Sequence, residues 1–141
     1  MKKDVLISIR GTQNVDGEKD VVELLTMGRF YKRKGIYYIT YNESEATGFE
    51  GSKTMVKVDE RVVTMRRFGD TQSQLVVEKG VRHQCHYDMG VGSLTVGVSG
   101  DQIVSTLGEH GGELLFRYSL DVNTSLTSEN EVYINIRECG N

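Results

Sequence analysis

His83, Cys85 and His86 fall within one short run and supply the side chains of a zinc site, or of a thiol nucleophile with its base. In an extended chain His83 and Cys85 project to one side and His86 to the other, so three ligands do not converge from this run. Cys139 and His110 lie far along the sequence, and no third group that would orient a base is evident. No metal, cofactor or catalytic residue is therefore expected. Glu43 and Glu45 form a carboxylate pair, but acid–base work needs two environments that separate their proton affinities, and spacing alone does not supply them. Gly90-Val91-Gly92 and Gly108 to Gly112 are glycine-rich, yet neither stands between a strand and a helix as a phosphate-binding loop does, so both read as turns.

The remaining chemical signal is electrostatic. Arg29-Phe30-Tyr31-Lys32-Arg33-Lys34-Gly35-Ile36-Tyr37-Tyr38 interleaves cations with aromatics at a hairpin tip, the pattern of a surface that meets single-stranded nucleic acid. The plainer alternative is a solvated basic hairpin whose aromatics pack in a sheet. The formal net charge of −3 gives no global field toward DNA or anionic lipid, so a partner, RNA or protein, would engage a local patch at Lys32, Arg33 and Lys34. The 38% apolar and 26% charged content is that of a folding globular chain. No run has the ~18 apolar residues of a membrane span, and Met1-Lys2-Lys3-Asp4 opens no signal-peptide stretch. A cytoplasmic location without membrane contact is expected, with the two cysteines as free thiols.

The elements that must position these residues are strands. Short runs rich in Val, Ile, Thr and Tyr alternate at period two, broken at intervals by Gly, Asp or Asn. They predict strands over 5–13, 21–32, 36–43, 54–58, 62–67, 74–78, 83–88, 94–99, 103–107, 113–123 and 131–137, roughly ten in all. Tight turns are placed at Lys34-Gly35, Asp59-Glu60, Lys79-Gly80 and Gly100-Asp101. Glu45 to Ser52 is the one candidate for a helical or lid-like insertion. At 141 residues, with no proline and therefore no proline-rich linker, the chain predicts one domain over 1–141. Gly28, Gly48 and Gly97 interrupt or flank strand patterns, where glycine marks a bulge or bend. Bends let a sheet close and remove its edges, so an all-β antiparallel meander barrel of about eight to ten strands is expected.

Hairpin arithmetic fixes the faces. Across Lys34-Gly35, Phe30 opposes Ile39, Gly28 opposes Tyr41 and Thr26 opposes Glu43; across Asp59-Glu60, Val58, Val56 and Thr54 share a face with Val63, Met65 and Arg67. Later strands add Leu94, Val96 and Val98, then Leu114, Phe116 and Tyr118, then Val132, Ile134 and Ile136. The polar members of these inward sets, Thr26, Tyr41, Glu43, Thr54, Arg67 and Tyr118, are the candidate ligand-binding residues. Inside a barrel Glu43 and Arg67 must pair, sit at the mouth, or bond to tyrosine hydroxyls, water or a ligand.

Glu23, Thr26 and Gly28, then Tyr41 and Glu43, then Thr54 with Val56-Lys57-Val58, then Arg67 two places before Gly69, together with Tyr87 and Tyr118, form a pattern along most of the chain. In it the sequence resembles the YwiB-like family of small bacterial calycin-type β-barrels. The resemblance implies a lipocalin-like barrel and no reaction, since the family has known folds without a known function. Met89-Gly90-Val91-Gly92 departs from the pattern, where an aromatic residue and often proline would stand. Binding is thus expected over catalysis: a small amphipathic or anionic molecule inside the barrel, with Arg67 and tyrosine hydroxyls at its polar end. The alternative is an interaction protein whose barrel is filled by its own side chains.

Overall fold

Strand alternation with tight turns folds the chain, in a computed structural model, into ten strands: β1 (Lys3–Val15), β2 (Glu18–Arg33), β3 (Ile36–Asn42), β4 (Ser52–Val58), β5 (Val62–Gly69), β6 (Ser73–Glu78), β7 (Arg82–Asp88), β8 (Ser93–Ser105), β9 (Gly111–Val122) and β10 (Ser125–Glu138). The structure describes residues 2–45, 50–69, 72–88 and 93–139, with the backbone alone at Tyr87, Asp88 and Ser93. Each strand pairs antiparallel with its sequence neighbours, and β10 returns to β1, so the sheet is a closed barrel. Among the described residues no helix is long and apolar enough to cross a membrane.

Three connections are two-residue hairpins in which both central residues have positive φ: Asp16-Gly17, Lys34-Gly35 and Asn123-Thr124. That is the turn whose twist matches paired strands, and glycine or asparagine stands at three of these six positions, Gly17, Gly35 and Asn123, where positive φ costs least. The turn at Lys34-Gly35 sets Phe30 opposite Ile39 and Gly28 opposite Tyr41, as the sequence predicts. The β4–β5 turn lies one residue beyond the predicted Asp59-Glu60, at Glu60-Arg61, where Asp59 N donates to Val62 O; Val56 then opposes Met65 and Thr54 opposes Arg67, and the predicted shared face is kept.

One predicted turn is absent. Gly100-Asp101 does not join two strands; β8 runs through it from Ser93 to Ser105, with a bulge against β9 between Gly100 and Gln102. The β6–β7 turn docks there: Gly80 N donates to Gly100 O at 3.0 Å and Gly100 N to Val81 O at 3.2 Å. A Cβ on Gly100 would lie 2.2 Å from the Glu78 carbonyl oxygen, so glycine is needed for close backbone approach rather than for chain reversal. The predicted runs 94–99 and 103–107 are therefore one strand, ending at Ser105. Gly28 and Gly97 likewise serve close approach inside unbroken ladders. A Cβ on Gly28 would lie 2.3 Å from the Thr40 carbonyl oxygen, and one on Gly97 2.3 Å from the Arg82 guanidinium. Gly48, Met89-Gly90-Val91-Gly92 and half of the predicted insertion at 45–52, residues 46–49, lie outside the described residues.

Inward alternation fills one end of the barrel with side chains. Ile7, Phe30, Ile39, Leu114, Phe116 and Ile134 are fully buried there, each burial contributing about 1.5–3 kcal/mol. Phe30 stacks on Tyr37, ring centroids 5.5 Å apart, and closes that end. The thinnest seam lies between β6 and β7, where Ser73 pairs with Tyr87 and Glu78 bridges to Val81. Between them the Val76 amide donates to the Cys85 sulfur at 3.3 Å, so a side chain replaces a ladder bond.

Candidate functional site

The β1–β2 and β9–β10 turns and the adjoining ends of β3 to β8 frame the end opposite the Phe30–Tyr37 stack. Here the inward positions change character. Alternation that delivers Val5 and Ile7 to the core continues on β1 to Gly11 and Gln13, and on β2 it delivers Leu24, Val22 and Asp20. Gly11 and these shorter or polar side chains leave a cleft of about 230 Å³ at the mouth. Ile9, Leu24, Met65, Leu75, Leu120 and Val132 form its apolar walls; Tyr41, Glu43, Arg67 and Tyr118 lie along it with Gln13, Asp20, Asn130 and Glu131.

A carboxylate organises the polar floor. Glu43, its side chain 2% exposed, accepts from the Thr54 hydroxyl and from Arg67, whose Nη2 and Nε lie 3.3 and 3.4 Å from Oε2. Tyr41 hydrogen-bonds within the same group, to Thr54 and Glu43. Burial, then the Glu43 charge, pushes the Tyr41 phenol far above its ordinary value, so it stays protonated. Among the described residues no buried side-chain nitrogen or oxygen lacks a partner. The cluster is thus a satisfied network that holds the β3, β4 and β5 ends together, with Arg67 12% exposed toward the cleft.

Five of the six predicted residues are assembled by this geometry. Tyr41, Glu43 and Arg67 meet at the floor, Thr54 buttresses Glu43 from behind without lining the cleft, and Tyr118 lines the β9 wall. Thr26 is apart: it is half-buried nearer the filled end, opposite Ile7, and its hydroxyl donates to the Met27 carbonyl at 3.3 Å. Gln13, Asp20 and Asn130 were not expected. Asp16-Gly17 carries the signal for the first two, since a two-residue turn there sets Gln13 opposite Asp20 and Gly11 opposite Val22, on the core face; Asn130 follows from alternation with Val132 on β10, where it pairs with Gln13 and Tyr118.

His83 and Cys85 share the inward side of β7; His83 pairs with Glu78 at 2.9 Å, and His86 is exposed on the other face. Burial pushes the Cys85 thiol up, partly offset by the Val76 amide. Among the described residues no three His, Cys, Asp or Glu side chains are grouped to hold a metal ion.

The model of a domain of unknown function, DUF1934, matches residues 7–134. The chain belongs to this family. An uncharacterized beta-barrel protein of Bacillus subtilis, YwiB, is 28% identical over 118 residues, covering 84% of this chain and 82% of the relative. The crystal structure of the ywiB protein matches with a TM-score of 0.86 and 23% identity, over 99% of this chain and 94% of that one. The all-β barrel and the resemblance noted from sequence are thus shown, and these relatives bring no activity with them.

Proposed function

We propose that the protein is a non-enzymatic binding module that takes a small amphipathic molecule into the open end of its barrel, in the cytoplasm. The observation that carries this is the combination in one cleft of apolar walls from Ile9, Leu24, Met65, Leu75, Leu120 and Val132 with a pre-satisfied polar floor at Tyr41, Glu43 and Arg67. Rigid polar groups that need no reorganisation orient a polar end, and the walls bury a short apolar one. About 230 Å³ is below the ~300 Å³ at which pockets for drug-sized ligands begin, which limits the guest to a smaller molecule.

Charge balance narrows the two ligand classes that the sequence suggests. Asp20 and Glu43 face the cleft against Arg67, with Glu131 at its rim already paired to Arg117 at 2.6 Å; Arg67 already neutralises Glu43, so Asp20 is left as the net charge of the cleft. A carboxylate head would meet excess negative charge; a neutral or cationic head would not. The cytoplasmic assignment is supported by charges along the outward rows, such as Lys53, Lys57, Arg66 and Asp121, where a lipid-facing barrel carries an apolar band. Titration of the isotope-labelled chain with octylamine, octanol and octanoate tests the reading. Amine or alcohol is expected to shift resonances of Leu24, Leu75, Leu120 and Tyr41 saturably, and octanoate less. Shifts scattered over the outer wall, or none with any of the three, contradict it.

A further inference from the structure

The outer wall over β2 to β5 is a second candidate surface, independent of the cleft. Tight register stacks its outward residues in rows across strands: Tyr31, Tyr38, Lys57 and Thr64 in one, then Arg29, Thr40, Met55 and Arg66, with Lys53 beside Phe68 at the edge. Arg29, Lys53, Lys57 and Arg66 are exposed, as is Arg33 at the end of β2; no carboxylate stands in these rows on β2 to β5, and Asp4 on β1 lies opposite Arg29 at their edge. Among the described residues the lysine and arginine ion pairs are made by Lys3, Arg29, Arg67, Arg82 and Arg117. Arg33, Lys53, Lys57 and Arg66 make none. In a chain of net charge −3 this concentrates four unpaired cations on one wall.

Aromatics are set among them. Tyr31 and Tyr38 stack with centroids 4.9 Å apart and planes 8° apart, Lys2 lies 5.2 Å from the Tyr31 centroid, and Phe68 is 37% exposed. From this juxtaposition we propose that the wall binds single-stranded RNA, its phosphates along Arg33, Lys57, Arg66 and Lys53 and its bases against Tyr38 and Phe68. Unpaired cations meet phosphates without first breaking an internal ion pair, and aromatic faces among them favour unstacked bases over an acidic peptide or a lipid surface. The wall is not the basic tip that the sequence suggests. Lys32 turns toward the filled end of the barrel and lies over Tyr37, and Lys53, Lys57 and Arg66 replace it.

Fluorescence anisotropy of the full chain with a labelled oligouridylate tests this. If each of the four cations neutralises one phosphate, log K should fall against log salt with a slope of about −2.8, or roughly fifty-fold from ~50 to ~200 mM salt. Lys53→Glu/Lys57→Glu/Arg66→Glu, all at exposed positions, is expected to abolish binding while leaving the circular dichroism and melting curve in place. Charge reversal of Lys19 and Arg137 on other faces is expected to leave affinity within about two-fold. Tyr38→Ala should weaken binding at fixed salt with the slope unchanged. Affinity untouched by the triple reversal or by Tyr38→Ala overturns the proposal, as does equal capture of a duplex RNA or of phosphatidylglycerol vesicles.

Discussion

Glu43 is the side chain whose environment sets the chemistry of the mouth. Its carboxylate is buried and takes hydrogen bonds from Thr54 and Arg67, so the pair is sensitive to loss of either partner. Arg67→Met leaves a buried carboxylate with one charge partner fewer and is expected to cost about 3–5 kcal/mol in urea unfolding. Glu43→Gln/Arg67→Met removes both charges and should recover most of that loss; a double variant as unstable as the single would show that Arg67 acts by packing alone. Arg67→Met by itself is therefore a poor probe of ligand contact, because it perturbs the fold of the floor. The cysteines divide by the same logic of burial. Cys139 is exposed, whereas Cys85 is buried with its thiol pushed up, so iodoacetamide should label Cys139 quickly and Cys85 only on unfolding. Equal rates at both would contradict the packing of β7.

At the scale of elements, a strap crosses β8. Arg82 on β7 reaches over Gly97 to Asp121 on β9, with Nε–Oδ2 at 2.9 Å and Nη2–Oδ1 at 2.7 Å, and Asp121 also accepts from the Thr124 amide of the β9–β10 turn. The Arg82 hydrogen bond, the largest cause, holds the Asp121 carboxyl below its ordinary value. A lowered folded-state value stabilises at pH above the ordinary carboxylate value, and the gain is lost as pH falls through the folded value. Asp121→Asn should therefore lower the melting temperature near neutral pH and converge with the parent in acid. Gly97→Ala displaces the guanidinium and should lower it too, with little added effect in the Asp121→Asn background; full additivity of the two would contradict the strap. Register was legible in the sequence where a dipeptide fixed a turn: Lys34-Gly35 places Tyr41 opposite Gly28. At β4–β5 the turn lies at Glu60-Arg61 rather than Asp59-Glu60, which moves the register by two residues and so still leaves Thr54 and Arg67 on the inward face. Register was not legible at Gly100, because a glycine-aspartate pair in a bulge looks the same as one in a hairpin, and what distinguishes them is the β6–β7 turn docking from elsewhere in the chain. Gly97 was legible only as a break, since its reason is a side chain one strand away.

On the scale of the whole molecule, the barrel is neither empty nor wholly filled by itself. Large side chains on the inward rows occupy the Phe30 end, and Gly11 with the polar inward residues opens the other. The sequence shows the meander and the inward rows, and it does not show this division, which arises from where rows on β1, β2, β9 and β10 meet in space. The central claim is that the open end holds a small amphipathic guest. The most direct test is native mass spectrometry of the full chain taken from its own host, beside Leu24→Trp/Leu120→Trp, which fills the cleft. The expected result is a complex heavier than the chain by one small molecule, released on unfolding and absent from the filled variant; a parent at its bare chain mass, or an added mass that the filled variant keeps, would contradict it.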